Sequence, residues 1–184
     1  MRLRGDDNVA RFESLVREHE SAIYRVAFRL ASSREEAEDL IQETLLEAYQ
    51  SFPRFMFGTH FDRWVFRIMR NTYIDRLRRR PKAKIESLDT PIVSSTGASV
   101  ARDIVDIGSA PDKELMARTL DGPIQEALEA LPAEFRMVVI LADIEEMSYD
   151  EISQALGCPV GTVRSRLHRG RAILKEKLKR YARF

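Results

Sequence analysis

A short stretch, from Ser148 to Arg171, admits very few folds. Ser148 and Glu151 are spaced as an S-x-x-E capping box, so a helix starts there. Ile152, Ala155 and Leu156 give that helix a buried face. Gly157 suits the left-handed position that ends a helix, and Pro159 discourages continuation. Val163, Leu167, Gly170, Leu174 and Leu178 then recur every three or four residues, which predicts a second helix lying on a core. Small Gly170 allows close approach on that side, and Arg164, Ser165, His168, Arg169 and Arg171 are left pointing largely away. Two helices joined by a tight turn, the second basic on its outer side, form the helix-turn-helix used to read duplex DNA. The plainer reading is a solvated basic face on an ordinary helix pair, so the rest of the chain has to decide.

Charge distribution bears on that decision more than net charge, which is only +1 over 184 residues. From Arg63 to Lys84 there are nine basic residues against the single acid Asp75, and from Val160 to Phe184 nine against the single acid Glu176. Two separated basic blocks in an otherwise acidic chain suggest two places where a polyanion is held. Cys158 is the only cysteine, which excludes an intramolecular disulfide and a cysteine-based zinc site and fits a reducing cytoplasm. The first residues lead into a charged amphipathic segment, so no signal peptide is expected, and no run reaches the roughly 18 apolar residues of a membrane span.

Helical spacing recurs along the chain. A first amphipathic helix or helix pair is predicted from Val9 to about Ala31, on Phe12, Leu15, Val16, Ile23, Val26, Ala27 and Leu30. Ser32 and Ser33 break it, and Ser33 with Glu36 forms another capping box. A second helix follows from about Arg34 to Ser51, with Ala37, Leu40, Ile41, Thr44, Leu45, Ala48 and Phe52 on its core face. Pro53 ends it. A loop over 54–60 holds Phe55 and Phe57, and a third helix spans about Phe61 to Arg80 before Pro81. Residues 81–111 carry no periodicity, which predicts a linker and a domain boundary. Helical pattern resumes over about Asp112 to Ala130, and again after Pro132 with Phe135, Val138, Val139, Leu141 and Ala142 as its stripe. The expected fold is all-α, with small helical domains over 8–80 and 112–184 on a flexible tether.

Two constellations outside the helix-turn-helix stand out. On the second helix, Asp39, Gln42, Glu43 and Leu46 lie off the core stripe, three polar groups beside an exposed leucine, which suits a docking surface. The alternative is a solvated face with a stray leucine. On the third helix, basic residues accompany aromatics and a polar pair, Asn71 and Asp75, one turn apart. Rings that stack on unpaired bases, beside cations that hold phosphate, are what single-stranded nucleic acid requires. Phe61 and Trp64 fall on the buried stripe, so Phe55 is the expected base contact.

The runs AEDLIQET (37–44), WVFRIMRNT (64–72), LPAEFR (131–136) and PVGTVRSRLHRGR (159–171) resemble bacterial extracytoplasmic-function sigma factors. The resemblance covers nearly the whole chain, in order. It implies a minimal sigma factor, not an enzyme, that confers promoter specificity on core RNA polymerase and needs no cofactor or metal. By the same resemblance, Asp39, Gln42, Glu43 and Leu46 match the face that docks on core polymerase. Phe55, Asn71 and Asp75 match the region that melts and reads the minus-ten promoter element. Arg164, Ser165, His168 and Arg169 match the helix that reads the minus-thirty-five element, and Arg171 is expected to hold phosphate beside them. An anti-sigma partner is implied as well. The loop over 56–60 matches no family pattern residue by residue, Asp75 stands where members vary, and Pro159 sits where a serine cap is common. A stand-alone helix-turn-helix regulator with an effector or dimerisation domain is the alternative. It has no need of the second basic block and its aromatic loop.

Overall fold

A computed structural model of the chain describes residues 3–79, 122–179 and 181. All regular structure among the described residues is helical. The first half holds α1 (Leu3–Leu30), α2 (Arg34–Ser51), a 3₁₀ turn (Phe52–Arg54) and α3 (Phe61–Arg79). The second holds α4 (Gly122–Glu129), α5 (Ala133–Val139) running into a π turn (Ile140–Ile144), α6 (Tyr149–Leu156) and α7 (Val160–Leu178). The expected linker at 81–111 and the first part of the helix expected from Asp112 lie outside the described residues.

α1, α2 and α3 pack as three mutually contacting helices. Phe12, Val16, Ile23, Val26, Ala27 and Leu30 are buried, as their spacing requires. α1 begins at Leu3, earlier than the apolar stripe does, because its first turns are polar and carry no pattern to announce them. Ser33 caps α2: its backbone is extended and its hydroxyl accepts from the Glu36 N–H at 3.1 Å. The Glu36 carboxylate returns to the Ser32 N–H at 3.1 Å.

α5 departs from the expected stripe. Arg136, Met137, Val138, Val139, Ile140 and Leu141 are all buried, whereas Phe135 and Ala142 are only partly so. Only its first turn, at Glu134, keeps a solvent face, because α5 is packed against both α7 and α1. The π turn closes with the Glu145 N–H on the Ile140 carbonyl at 3.1 Å, and Glu146 follows with a φ of 52°.

The halves pack together over one continuous apolar core running from Phe12 to Leu167. The sequence does not announce this joining. Arg136 anchors it: its buried guanidinium donates to the Leu30 carbonyl (2.9 Å), the Tyr73 hydroxyl (2.8 Å), the Leu131 carbonyl (3.2 Å) and the Glu129 carbonyl. Leu30 and Glu129 are the last residues of α1 and α4, so one arginine satisfies the open carbonyls of two helix ends. Gln125 adds a bond from its side-chain amide to the Ala31 carbonyl at 3.1 Å.

Candidate nucleic-acid interface

α2 turns Ala37, Leu40, Ile41, Thr44, Leu45 and Ala48 inward. Asp39, Gln42 and Glu43 are therefore exposed on its outer face, while Leu46 is half-buried and not the fully exposed leucine expected. Arg76 of α3 governs the electrostatics here. Its Nε donates to Glu43 Oε2 at 2.7 Å, Nη2 lies 4.0 Å from Asp39, and Nη1 donates to the Glu36 carbonyl at 3.3 Å. The hydrogen bond from Arg76 holds the Glu43 carboxyl below its ordinary range, and the same bond raises the Arg76 guanidinium. Nothing in the spacing pairs residues 43 and 76. Only the packing of α3 on α2 brings them together.

The loop before α3 buries Phe55, expected on its surface, and leaves Phe57 exposed. Phe55 is buried at 7% exposure, stacked on Phe52 with ring centroids 5.8 Å apart and wedged against Phe61 and Trp64. Phe57 and Met56 are the exposed pair, at 53% and 72%. Gly58 accounts for the difference. Its φ of 89° makes the tip of a turn, closed by the Thr59 N–H and hydroxyl on the Met56 carbonyl at 3.2 and 2.7 Å. Residues at a turn tip face solvent, so the glycine was the signal that could have singled out Phe57. The Arg11 guanidinium lies 5.6 Å from the Phe57 ring centroid.

On α3, Asn71 and Asp75 are both exposed one turn apart. Asn71 Oδ1 accepts from Arg70 at 3.2 Å, and Asp75 pairs with Arg78 at 3.4 Å. Toward the start of α3 a cleft of about 400 Å³ is lined by Gly58, Thr59, His60, Arg63, Trp64 and Arg67, with Gln154 of α6 at its rim.

α6 and α7 form the predicted helix-turn-helix. Both bonds of the Ser148–Glu151 capping box are present, and Gly157 is left-handed with a φ of 61°. The capping N–H and hydroxyl of Ser148, with lesser help from Arg63, hold the Glu151 carboxyl below its ordinary range. Val163, Leu167 and Gly170 are buried, and a Cβ added at Gly170 would sit 2.7 Å from Val139 Cγ2. Arg164, Ser165, His168 and Arg169 are all exposed and contiguous on the opposite side. Ser165 donates its hydroxyl to the Thr162 carbonyl at 3.0 Å, and Arg164 lies over the Tyr149 ring at 5.9 Å. Arg171 is held by Asp143, Nε donating to Oδ2 at 3.2 Å. No cluster of metal-ligating side chains occurs among the described residues, and no described helix is long and apolar enough to cross a membrane.

Residues 15–82 match the family profile of Sigma-70 region 2, and residues 121–174 that of Sigma-70, region 4. The ECF RNA polymerase sigma factor SigW of Bacillus subtilis is 34% identical over 96% of this chain and 92% of its own length. The ECF RNA polymerase sigma factor SigE of Mycolicibacterium smegmatis is 38% identical over 93% of this chain, which spans 63% of that longer protein. Among solved structures, the sigma factor RpoE in complex with the anti-sigma factor NepR from Bartonella quintana superposes with a TM-score of 0.66 at 28% identity, covering 91% of this chain and 96% of that one. CnrH, in complex with the cytosolic domain of CnrY, shares the fold with a TM-score of 0.61 at 23% identity.

Proposed function

The chain belongs to the extracytoplasmic-function RNA polymerase sigma factors, and from that premise we propose that it docks on core polymerase through α2 and reads two promoter elements with its two halves. It is an alternative sigma factor that directs transcription initiation at its own promoters. Residues 8–80 form the part that docks and melts, 81–111 the connection, and 112–184 the upstream reader. It works in the cytoplasm, catalyses no reaction itself and is held by an anti-sigma protein until needed.

Asp39, Gln42, Glu43 and Leu46 make the polymerase contact: an acidic rim around a half-buried apolar side chain suits a basic and apolar partner surface. Asn71 and Asp75 read the melted minus-ten element. Phe55 supports that region from beneath, and exposed Phe57 and Met56 meet the unstacked bases. Arg164, Ser165, His168 and Arg169 face the major groove of the minus-thirty-five element, with Arg171 on phosphate.

The observation that carries this reading is the outward face of α7. Its opposite side is buried, leaving a contiguous polar and basic surface on the second helix of a helix-turn-helix whose first helix starts at a complete capping box. In vitro transcription by core polymerase with and without the chain, with mapping of the transcript 5′ ends, tests it. Starts that appear only with the chain, and share two spaced upstream sequences, are expected. Starts unchanged by the chain would refute it.

A further inference from the structure

The arginines of α7 are held in two different ways. Arg166 is bonded to the Glu134 carboxylate at 2.5 Å, and Arg171 to Asp143, with Nε donating to Oδ2 at 3.2 Å. Arg164 instead lies on a ring. Its Cζ is 5.9 Å from the centroid of Tyr149, and no carboxylate among the described residues is bonded to it.

The difference matters for an arginine that reads a base. A carboxylate takes up the forked N–H edge of the guanidinium, the same edge that guanine O6 and N7 need. A ring attracts the cation through its face and uses none of its N–H groups. An arginine lying on a ring is therefore held while its donors stay available.

Tyr149 is a fixed platform. It is the first residue of α6, and the complete capping box of Ser148 and Glu151 fixes the backbone on both sides of it. Its ring is 37% exposed. The other end of the side chain serves a second arginine. The pKa of Arg171 is raised chiefly by its bond to Asp143, with lesser help from the Tyr149 hydroxyl. Arg164 and Arg171 are seven residues apart, about two turns along one side of α7, so one tyrosine of α6 reaches both.

We propose that Tyr149 is a positioning residue for promoter recognition: its ring holds the Arg164 guanidinium in place, with the N–H groups left free for an upstream base pair. This role rests on the reading of α7 as the helix that enters the minus-thirty-five groove. Holding a long side chain before the DNA arrives lowers the ordering cost of binding. Because Tyr149 acts through Arg164, it bears on discrimination between bases, whereas a phosphate contact bears on affinity alone.

The test is transcription by holoenzyme reconstituted from core polymerase and the full chain, across single-base variants of the upstream element, at low and high salt. Arg164→Ala first identifies the base pair that Arg164 reads. A base profile unchanged by that variant would overturn the reading of α7, and this role with it. At the identified base pair, Tyr149→Leu is expected to lower the preference by about two- to fivefold, the equivalent of an exposed cation–π contact, and to leave the other positions as they are. Tyr149→Phe keeps the ring and should keep the preference. In an Arg164→Ala background, Tyr149→Leu should lower it no further. A Tyr149→Leu holoenzyme that retains the full preference would overturn this role alone. So would an equal loss in Tyr149→Phe, or a loss of affinity on every sequence alike with a reduced salt slope, which would make the tyrosine a phosphate contact. Circular dichroism melts check that each variant is folded. If Tyr149→Leu is not, Tyr149→Met, also without a ring, takes its place.

Discussion

Arg63 on α3 and Glu151 on α6, 88 residues apart in the chain, meet at 2.6 Å. The same guanidinium donates to Gln154 Oε1 at 2.6 Å. One turn along α3, Arg67 lies so close to Gly157 that a Cβ there would fall 2.1 Å from its Nη2. Arg25 and Glu145 make a further bridge, at 2.9 and 2.6 Å. The basic start of α3, beside the cleft at Gly58 to Trp64, is thus covered by α6 of the helix-turn-helix. Breaking the Arg63–Glu151 pair should loosen this packing. Glu151→Ala also removes a helix cap, so the pair is isolated by a double-mutant cycle with Arg63→Ala. A coupling of about 1 kcal/mol is expected for a partly exposed bridge. Small-angle scattering of the double variant should show a larger radius of gyration, and unchanged scattering would mean that the core and the Arg136 and Arg25 contacts hold the halves without this pair.

Acid should weaken the fold through the same carboxylate. Glu151 titrates lower in the folded chain than in the unfolded one, chiefly through its capping bonds from Ser148. Its contribution is therefore complete above the ordinary glutamate range and is lost as pH falls through the depressed folded value. Glu43, held down by Arg76, acts in the same direction. Thermal midpoints recorded from neutral pH downward should fall, and the fall should be shallower in Glu151→Gln. A slope identical to wild type would exclude this carboxylate as a source.

The loop phenylalanines make opposite predictions. Phe55→Ala empties a buried aromatic site and should cost about 3 kcal/mol or more. Phe57→Ala removes an exposed ring and should cost under about 1 kcal/mol, while slowing promoter opening seen by permanganate footprinting. A Phe57→Ala holoenzyme that opens the promoter at the wild-type rate would remove that ring from the melting surface.

These two residues also mark where sequence reading runs out. Ser33, Ser148 with Glu151, Gly157 and Gly170 were legible because their signals are local: a hydroxyl three residues from a carboxylate, a glycine after the last apolar turn, a small residue on a stripe. The 54–60 loop has no period, so Phe55 and Phe57 could not be told apart until the Gly58 turn placed them. Arg63, Arg76 and Arg136 read equally as surface cations. What distinguishes them is the partner each finds across the core, and single-sequence spacing holds no information on that.

Gly170→Ala tests the contact between α7 and α5. The added methyl would meet Val139 Cγ2 at 2.7 Å inside the core, so that Val139 or the helix must shift. A cost of about 1–3 kcal/mol is expected for overpacking. Val139→Ala in the same chain should recover part of it, so that the double variant is more stable than the sum of the single changes predicts. Denaturant melts of the four proteins decide, and strict additivity would place the strain elsewhere.

The polymerase-facing side of α2 should respond to charge and shape separately. Leu46→Glu places a carboxylate at the half-buried centre of the face and should abolish recovery of core polymerase in a pull-down while leaving helix content intact. Glu43→Lys should do the same, yet it also deprives Arg76 of its 2.7 Å partner and sets two cations together. Its melting temperature should therefore fall where that of Gln42→Lys does not. Recognition on α7 divides likewise. Arg164 is exposed near the start of the helix, whereas Arg171 is already held by Asp143. Arg164→Ala should cost about 1–3 kcal/mol of discrimination at one upstream base pair, since an arginine paired with a guanine edge contributes that much. Arg171→Ala should weaken binding on every sequence alike and reduce the salt slope by about one. Transcription by the reconstituted holoenzyme across single-base variants of the upstream element separates the two. An unchanged base profile for Arg164→Ala would mean that α7 enters the groove on a different face.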